Sequence, residues 1–284
     1  MNGGALWGIF LQTFKTTIRS KWLILFAVIF FLFSFNLPLL STSVLSAAPV
    51  SDASSFIQVV ITSAFTLLPI LGLTIGAVSV VEERESGSLS YILSTPTSRG
   101  KFLVARTAGL FAATSAIIIL GFTLAALLAF RLSSGSLQIW YVTAAACLLN
   151  GCMICLSMVI STVSRKRLTA YGAAIFVWFL FAYAGDTSLI GPVLATANRY
   201  YILIPWIFLN PIEVSRLIAI FQLLPGIVNA GPIAIQNSDL GATGEAIIYI
   251  FGNASQMVLW VTITLWICIS FFASFFILSF QDIK

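Results

Sequence analysis

Residues 80–102 read VVEERESGSLSYILSTPTSRGKF and separate two long apolar runs of the chain. Three of the nine carboxylates of the protein lie here within four residues, at Glu82, Glu83 and Glu85. A half-apolar segment, a proline and further basic residues follow them. Charge gathered between two uncharged runs is typical of a loop at a membrane surface.

The composition of the whole chain indicates lipid surroundings. Hydrophobic residues make up 60% of the 284 residues and charged residues only 8%, whereas soluble domains carry about 25% charged residues. A soluble fold could not hide so much apolar surface. The uncharged runs approach the roughly 20 residues that cross a bilayer core. We therefore predict an all-α integral membrane protein, one transmembrane domain over residues 1–284, with six spans at residues 22–40, 56–81, 107–130, 140–163, 168–185 and 256–280.

The basic residues predict how these spans are oriented. With the N-terminus in the cytoplasm, eleven of the fourteen Lys and Arg residues fall in cytoplasmic segments, and Arg131, Arg199 and Arg216 fall outside. Cytoplasmic loops of membrane proteins carry such an excess of positive charge. We expect a multi-pass protein of the plasma membrane with both termini in the cytoplasm. Its basic residues would contact anionic lipid and no nucleic acid.

Two shorter patterns concern helix packing. In residues 5–20, Trp7, Phe10 and Phe14 recur at helical spacing on one face, which predicts an amphipathic helix lying in the membrane interface. The alternative is a plain leader into the first span. Gly72 and Gly76 are four residues apart in the second span and would let another helix approach closely. That helix could belong to the same chain or to a second subunit.

Residues 191–245 form a region of irregular pattern between the last two spans. Residues 200–209 (YYILIPWIFL) are apolar but too short to cross, and the proline of Asn210-Pro211 ends them. Residues 217–236 are uncharged but contain two glycines and two prolines, which disfavours a regular lipid-facing helix. A seventh span here is the alternative, and it would place the C-terminus outside.

We therefore expect interfacial and re-entrant segments at the outer face in this region. Glu213 would be solvated or paired with Arg199 or Arg216, because it falls near the outer surface. The candidate outer-face residues are Tyr200, Tyr201, Pro205, Trp206, Asn210, Pro211, Glu213 and Arg216.

The residue types exclude several kinds of chemistry. The chain has no histidine, the usual general base and commonest metal ligand. A phosphate-binding loop is also absent, since the only Gly-Lys pair, Gly100-Lys101, lacks the other residues of that motif. We expect no catalytic residue and no cofactor bound by this chain. Cys152 and Cys155 are weak candidates for a Cu(I) site, but cysteine within a span behaves as a small hydrophobic residue.

The charged stretch predicts a short cytoplasmic helix over residues 84–98. Leu89, Ile92 and Leu93 share one helical face, and Pro96 closes the segment. The glutamates would stand at its N-terminus, where the helix dipole favours negative charge. The apolar face could dock in a groove of a partner protein. The alternative is a helix lying on lipid headgroups, which three glutamates facing anionic lipid disfavour.

The same stretch resembles the signature of ABC type-2 permeases, the membrane subunits of one class of ABC exporter. The resemblance is carried by Glu82-Glu-Arg-Glu-Ser-Gly-Ser-Leu-x-x-x-Leu-Ser-x-Pro-x-Ser-Arg99, with Gly-Ser-Leu where family members often have Gly-Thr-Leu. Residues 172–181 (GAAIFVWFLF) and 204–217 (IPWIFLNPIEVSRL) are similar to the NosY-like branch.

The resemblance implies a permease subunit that pairs with a second copy, as a homodimer, and with two copies of an ABC ATPase that bind ATP and Mg²⁺. The helix after the second span would be the coupling helix that docks on the ATPase. The residues that the resemblance assigns to this coupling are Glu82, Glu83, Arg84, Glu85, Ser86, Gly87, Leu89, Ile92, Leu93, Pro96 and Arg99. A partner protein outside the membrane and a role in copper-enzyme maturation are further implications by analogy.

Two other functions remain open from the residues alone. An ATP-independent carrier would need polar groups converging at the membrane midplane, and none is evident. A membrane scaffold or assembly factor would explain the apolar interior and the docking helix equally well. A membrane enzyme ranks last, because histidine and paired acids are missing.

Overall fold

The computed structural model of the protein describes residues 3–44, 53–87, 99–132, 138–184, 200–223 and 251–280. Every regular element within these ranges is helical. A π-helical turn (Leu180–Ala184) continues α6, and a 3₁₀ turn (Gly252–Ala254) precedes α9. The α-helices are α1 (Gly3–Ile18), α2 (Lys21–Val44), α3 (Ala53–Glu85), α4 (Arg99–Leu132), α5 (Gln138–Val163), α6 (Arg167–Phe179), α7 (Tyr200–Leu209), α8 (Pro211–Leu223) and α9 (Ser255–Phe280).

Four helices in the described part of the chain are long and apolar enough to cross a membrane. They are Ala64–Glu85, Arg99–Leu124, Ile139–Val163 and Ser255–Phe280, and two shorter apolar stretches are Lys21–Leu32 and Arg167–Tyr183. The predicted all-α membrane class is confirmed. The count of six spans stays a prediction.

Helices α3 and α5 form the centre of the bundle. The shares of their spanning windows buried within the chain are 72% and 67%, against 22% for α9. The two central helices approach closely because Gly72 and Gly76 of α3 carry no side chain: a Cβ at Gly72 would lie 3.0 Å from Met153 Cβ, and one at Gly76 would lie 2.8 Å from Ser157 Cβ. Both glycines are buried against α5, so they serve packing within the chain.

A proline within α3 is accommodated by a side chain from α6. Pro69 has no N–H, which removes one backbone hydrogen bond and disturbs the preceding turn. The indole Nε1 of Trp178 donates a hydrogen bond of 3.0 Å to the carbonyl oxygen of Thr66, three residues before the proline. This bond binds α6 to α3 where the backbone of α3 is weakened.

Helix α1 lies along the first part of α4. A Cβ at Gly109 of α4 would lie 2.8 Å from Thr13 Cβ and 3.0 Å from the Phe10 carbonyl oxygen. Thr13 and Thr17 face the protein and are buried, whereas Trp7 is 61% exposed. The small polar face of α1 therefore packs against the bundle, and its aromatic face remains available to lipid.

The chain between α7 and α8 enters the bundle. The indole Nε1 of Trp266, near the middle of α9, donates a 2.9 Å hydrogen bond to the carbonyl oxygen of Phe208. Most of the first half of α8 is buried, and α8 packs against α3, α5 and α9. Residues 224–250, which include most of the alternative seventh span, lie outside the described part.

Candidate functional site

The glutamates of the charged stretch lie in the last turn of α3. This helix continues without interruption through Glu85, so Arg84 and Glu85 do not begin a separate helix as the sequence predicted. Gly87 then adopts φ +71°, the left-handed conformation that commonly follows a helix end. Glu82, Glu83 and Glu85 therefore stand at the negative end of a helix dipole, where arginines must offset their charge. Leu89, Ile92, Leu93 and Pro96 lie outside the described residues.

Arg106 of α4 compensates the most buried of these glutamates. Its Nη1 lies 2.6 Å from Oε1 of Glu83, and both side chains are only 13% exposed. The Nη2 donates a 2.8 Å hydrogen bond to the carbonyl oxygen of Ser79, and Nη1 is also 3.5 Å from the Thr13 hydroxyl. A single guanidinium thus connects α3, α4 and α1.

The other two glutamates hold the start of α6. Arg167 places Nη1 3.1 Å from Glu82 Oε1 and Nε 2.8 Å from Glu85 Oε2. The backbone N–H of Arg167 also donates to Glu85 Oε1 at 2.8 Å. Because this N–H belongs to the first residue of α6, Glu85 caps that helix from another part of the chain.

Helix α5 is joined to the same end of α3 by two sets of hydrogen bonds. Arg84 donates from Nη1 to the Ser164 carbonyl oxygen at 2.7 Å and from Nη2 to the Thr162 carbonyl oxygen at 3.1 Å. The Ser161 hydroxyl oxygen accepts from the backbone N–H groups of Val80 and Val81 at 3.0 and 3.2 Å. The carbonyls at the C-terminal end of α5 thus gain cationic donors.

Arg99 makes an analogous contact at the start of α4. Its Nη1 donates to the carbonyl oxygens of Leu278 and Ser279 at 3.2 and 2.9 Å, near the end of α9. The next residue, Gly100, sits so close to Phe275 that a Cβ there would lie 2.6 Å from the ring. Helices α4 and α9 are therefore joined directly to each other at this end of the bundle.

These contacts form one charged joint, which we call the elbow cluster: Glu82, Glu83, Arg84 and Glu85 of α3 with Arg106 of α4 and Arg167 of α6. It lies directly before residues 88–98. Its charges pair with one another, which suits holding helices together more than reacting with a substrate. Ser86 and Gly87, which form the turn after α3, are exposed.

Four of the outer-face candidates, Asn210, Pro211, Glu213 and Arg216, lie at the start of α8. Asn210 is 2% exposed, and its Oδ1 accepts a 3.0 Å hydrogen bond from the backbone N–H of Ile212, as an N-cap does. Its Nδ2 donates at 2.9 Å to the carbonyl oxygen of Phe181 in the π-helical turn. Pro211 follows as the first residue of α8, where a missing N–H costs nothing. Tyr200, Tyr201, Pro205 and Trp206 belong to α7, with Pro205 and Trp206 exposed.

Glu213 differs from one of its two predicted environments. It forms the expected ion pair with Arg216, at 2.9 Å between Oε1 and Nη1. The solvated alternative is wrong, because Glu213 is 3% exposed and packed within the bundle. The first half of α8 turns inward, which the linear pattern of charges did not indicate.

The two candidate cysteines of α5 have no third metal-ligating side chain grouped with them in the described residues. Cys152 and Cys155 are free and buried in α5. Among the residues that the structure describes, no group of three or more His, Cys, Asp or Glu could hold a metal ion.

Sequence reasoning missed Arg106 and Arg167 as parts of the elbow cluster, and Ser161 as the side chain that bonds the backbone of α3 beside it. The first two were recognised only as basic residues flanking spans. The available signal was the presence of three acids and three arginines at neighbouring helix ends, but which acid pairs with which arginine depends on how the helices cross.

A chain whose described elements are all helical and include four apolar helices of membrane-spanning length is a membrane protein. Its residues 7–281 match the family described as ABC-2 family transporter protein, and the chain therefore belongs to the ABC-2 family of transporter permeases. Two relatives carry the name "Probable ABC transporter permease protein NosY". The one from Pseudomonas aeruginosa is 24% identical over 269 residues, covering 92% of this chain and 93% of the relative. The one from Stutzerimonas stutzeri is 24% identical over 221 residues, covering 75% and 80%. The predicted resemblance is confirmed.

Proposed function

We propose that this permease couples ATP hydrolysis on a separate ATPase subunit to movement of its own spans, through a coupling helix within residues 88–98. The observation that carries the proposal is the elbow cluster, which joins the last turn of α3, close before this segment, to several helices at once. Glu85 is within three residues of Ser88, and it holds the start of α6 through two bonds to Arg167. A push on residues 88–98 would therefore reach the bundle through the short turn Ser86–Gly87 and the contacts of Glu85.

The complex would contain two ATPase copies and two copies of this chain, arranged around the membrane spans. ATP and Mg²⁺ would bind to the ATPase subunits and not to this chain. The excess of basic residues supports six spans with both termini in the cytoplasm of a plasma-membrane protein. The low burial of α9, 22% of its spanning window, supports a surface there for lipid or for the second copy.

The movement would pass from the elbow cluster to the helices packed around the end of α3. Arg106 would carry it to α4 and the interfacial helix α1, because its guanidinium contacts Glu83, Ser79 and Thr13. Arg84 would carry it to the end of α5. Arg99 would keep α4 and α9 together as they tilt.

The outer-face region would change shape in response. Helices α7 and α8 enter and leave the bundle as a re-entrant hairpin, an interpretation supported by the bond between Trp266 and Phe208 deep along α9. Since α8 packs directly on α3 and α5, tilting of these helices would displace it. That displacement would release a substrate or act on a partner protein outside the membrane.

The test is purification of the tagged protein in mild detergent from its native cells, with mass spectrometry of the proteins retained. We expect a stoichiometric ABC ATPase with the wild type and its loss with Leu93→Asp, because removing an apolar interface anchor typically costs about 2 kcal/mol or more. Ser94→Asp is the matched control: it adds the same charge on the other face of the predicted helix and should retain the ATPase.

Two results would overturn the proposal. One is a well-expressed wild type that brings no ATPase under conditions that preserve other membrane complexes, in which case a carrier or an assembly scaffold becomes the better explanation. The other is full retention of the ATPase by Leu93→Asp, which would show that residues 88–98 are not the contact.

A further inference from the structure

A cavity of about 170 Å³ lies where α1, α2, α3, α4 and α6 meet. Its wall includes Trp22 near the start of α2, Tyr171 near the start of α6 and Glu82 in the last turn of α3. These helix ends share one membrane surface, so the cavity lies at the level of the lipid headgroups. An engineered protein cavity of roughly 150 Å³ holds benzene. The space therefore suits a small headgroup and not an acyl chain.

The polar lining offers hydrogen-bond acceptors. Thr13, Thr16 and Thr74 line the cavity, and each hydroxyl donates its proton to the carbonyl oxygen four residues earlier, at 2.8, 2.9 and 2.6 Å. Ser79 donates in the same way to the Gly76 carbonyl oxygen at 2.9 Å. A hydroxyl has one proton and two lone pairs. Thr16 and Thr74 can therefore accept hydrogen bonds from a ligand while keeping their own bonds, and Thr13 keeps one lone pair beside its 3.5 Å contact with Arg106 Nη1. The Ser79 hydroxyl also contacts Met158 Sδ of α5 at 3.2 Å, so the threonines are the main acceptors.

The charges at the wall also favour a cationic group. Arg106 lines the cavity, but its guanidinium is engaged by Glu83 at 2.6 Å and by the Ser79 carbonyl oxygen at 2.8 Å. Glu82 uses Oε1 for Arg167 at 3.1 Å and remains 54% exposed. The arginine is thus neutralised within the protein, while a carboxylate stands at the edge of the cavity.

Two aromatic rings complete the site. Trp22 and Tyr171 have ring centroids 6.2 Å apart and planes inclined by 45°. Aromatic faces attract ammonium groups placed within about 6 Å of the ring centroid. An ammonium ion with N–H donors is the ligand that suits all of these groups. The acceptor oxygens, the carboxylate and the two rings each attract it.

We propose that this cavity binds the primary ammonium of an ethanolamine phospholipid. The ammonium carries three N–H donors for the threonine oxygens, and the phosphate would lie toward the exposed basic residues Lys15, Arg19 and Lys21 of the same α1–α2 segment. Such a lipid would hold α1 and α2 against the end of α3. The proposal depends on the membrane location of the chain and not on its coupling to an ATPase.

The test is native mass spectrometry of the full-length protein released from micelles with equal amounts of phosphatidylethanolamine, phosphatidylcholine and phosphatidylglycerol. We expect preferential retention of phosphatidylethanolamine. The double variant Thr16→Val, Thr74→Val keeps the side-chain shape and removes two acceptors, and it should lower that affinity about tenfold. Thr264→Val is the control, because Thr264 is an exposed threonine of α9 that bonds only its own helix among the described contacts.

A second variant tests whether loss of ligand contacts, and not misfolding, causes the weaker lipid binding. Trp22→Leu removes one aromatic wall at a position that is 65% exposed, and it should also weaken binding while leaving the melting temperature of the lipid-free protein unchanged. Equal retention of all three lipids, or unchanged retention by both variants, would overturn the proposal. Displacement of the lipid by free ethanolamine at an equal concentration would overturn the lipid assignment in favour of a soluble ammonium ligand.

Discussion

The individual charges of the elbow cluster differ in how much they contribute to folding. Glu83 and Arg106 are each 13% exposed, so both have lost most of their hydration and depend on each other. Arg167 is 44% exposed, and water screens its two carboxylate partners. The nitrogen–oxygen distances of the Glu83–Arg106 pair and of the two Arg167 pairs are similar. Burial therefore decides which of these ion pairs contributes more to stability.

Arg106→Gln should lower the free energy of unfolding by about 3 kcal/mol, since it leaves a buried glutamate without its arginine. Arg167→Gln, the matched control, should cost less than about 1 kcal/mol. Reversible denaturation with sodium dodecyl sulfate in mixed micelles measures both. The Glu83→Gln, Arg106→Gln double variant should recover part of the loss. Equal effects of the two single arginine variants would contradict the argument from burial.

Helices α3 and α5 illustrate how absent side chains determine packing. Gly76 faces Ser157 so closely that even a methyl group cannot fit, whereas the space at Gly72 is slightly larger. In a membrane, where lipid removes the hydrophobic drive for helices to associate, such close backbone approach is a main source of attraction. The same contact positions Ser161 one turn further along α5, where it bonds the amides of α3.

Gly76→Ala should therefore destabilise the protein by about 1–3 kcal/mol, through forced separation of α3 and α5. Gly72→Ala should cost less. Gly172→Ala provides the control: nothing lies within 4 Å of a Cβ there, and replacing a helical glycine with alanine usually stabilises by about 0.5–1 kcal/mol. Melting temperatures of the three variants in one detergent test the order, and a Gly76→Ala protein as stable as Gly172→Ala would contradict it.

In the described part of the molecule, two groups of polar contacts lie at opposite ends of the bundle, and between them Asn150 of α5 bonds Thr114 and Ser115 of α4. The elbow cluster joins α3, α4, α5 and α6 next to residues 88–98. At the other end, α8 lies between α3, α5 and α9, with Asn210 holding its first turn to the π-helical turn after α6. Helices α3 and α5 belong to both groups, so they are the path by which one end could influence the other.

Under the proposed function, Arg84→Gln should reduce transport-linked ATP hydrolysis several-fold while the ATPase still copurifies. Arg84 holds the end of α5 through the Ser164 and Thr162 carbonyls, and glutamine is too short to reach both. Arg165→Gln, an exposed arginine in the same turn, is the control. ATPase activity of the purified complex in lipid, with and without the permease variant, measures the effect. Unchanged stimulation by Arg84→Gln would remove Arg84 from the coupling path.

Much of this architecture could be read from the order of the residues. Long uncharged runs indicate membrane helices, because an unpaired backbone polar group in lipid costs too much for any other form. The motif from Glu82 to Arg99 indicated the ABC-2 family, and the two glycines of α3 indicated a close helix contact. Each of these features is set by residues that are close together in the sequence or by the lipid surroundings. The sequence alone therefore indicates them.

The rest depends on groups brought together from distant parts of the chain. Glu83 meets Arg106, Glu85 caps α6, and Glu213 is buried beside Arg216 although it follows an Asn-Pro turn expected near water. The local pattern predicted that a new helix begins at Arg84 and Glu85, but α3 continues through them. Two arginines from other segments, Arg106 and Arg167, stabilise the negative charge at the end of α3. Pairing and burial follow from how the helices cross, and crossing is a property of the packed bundle.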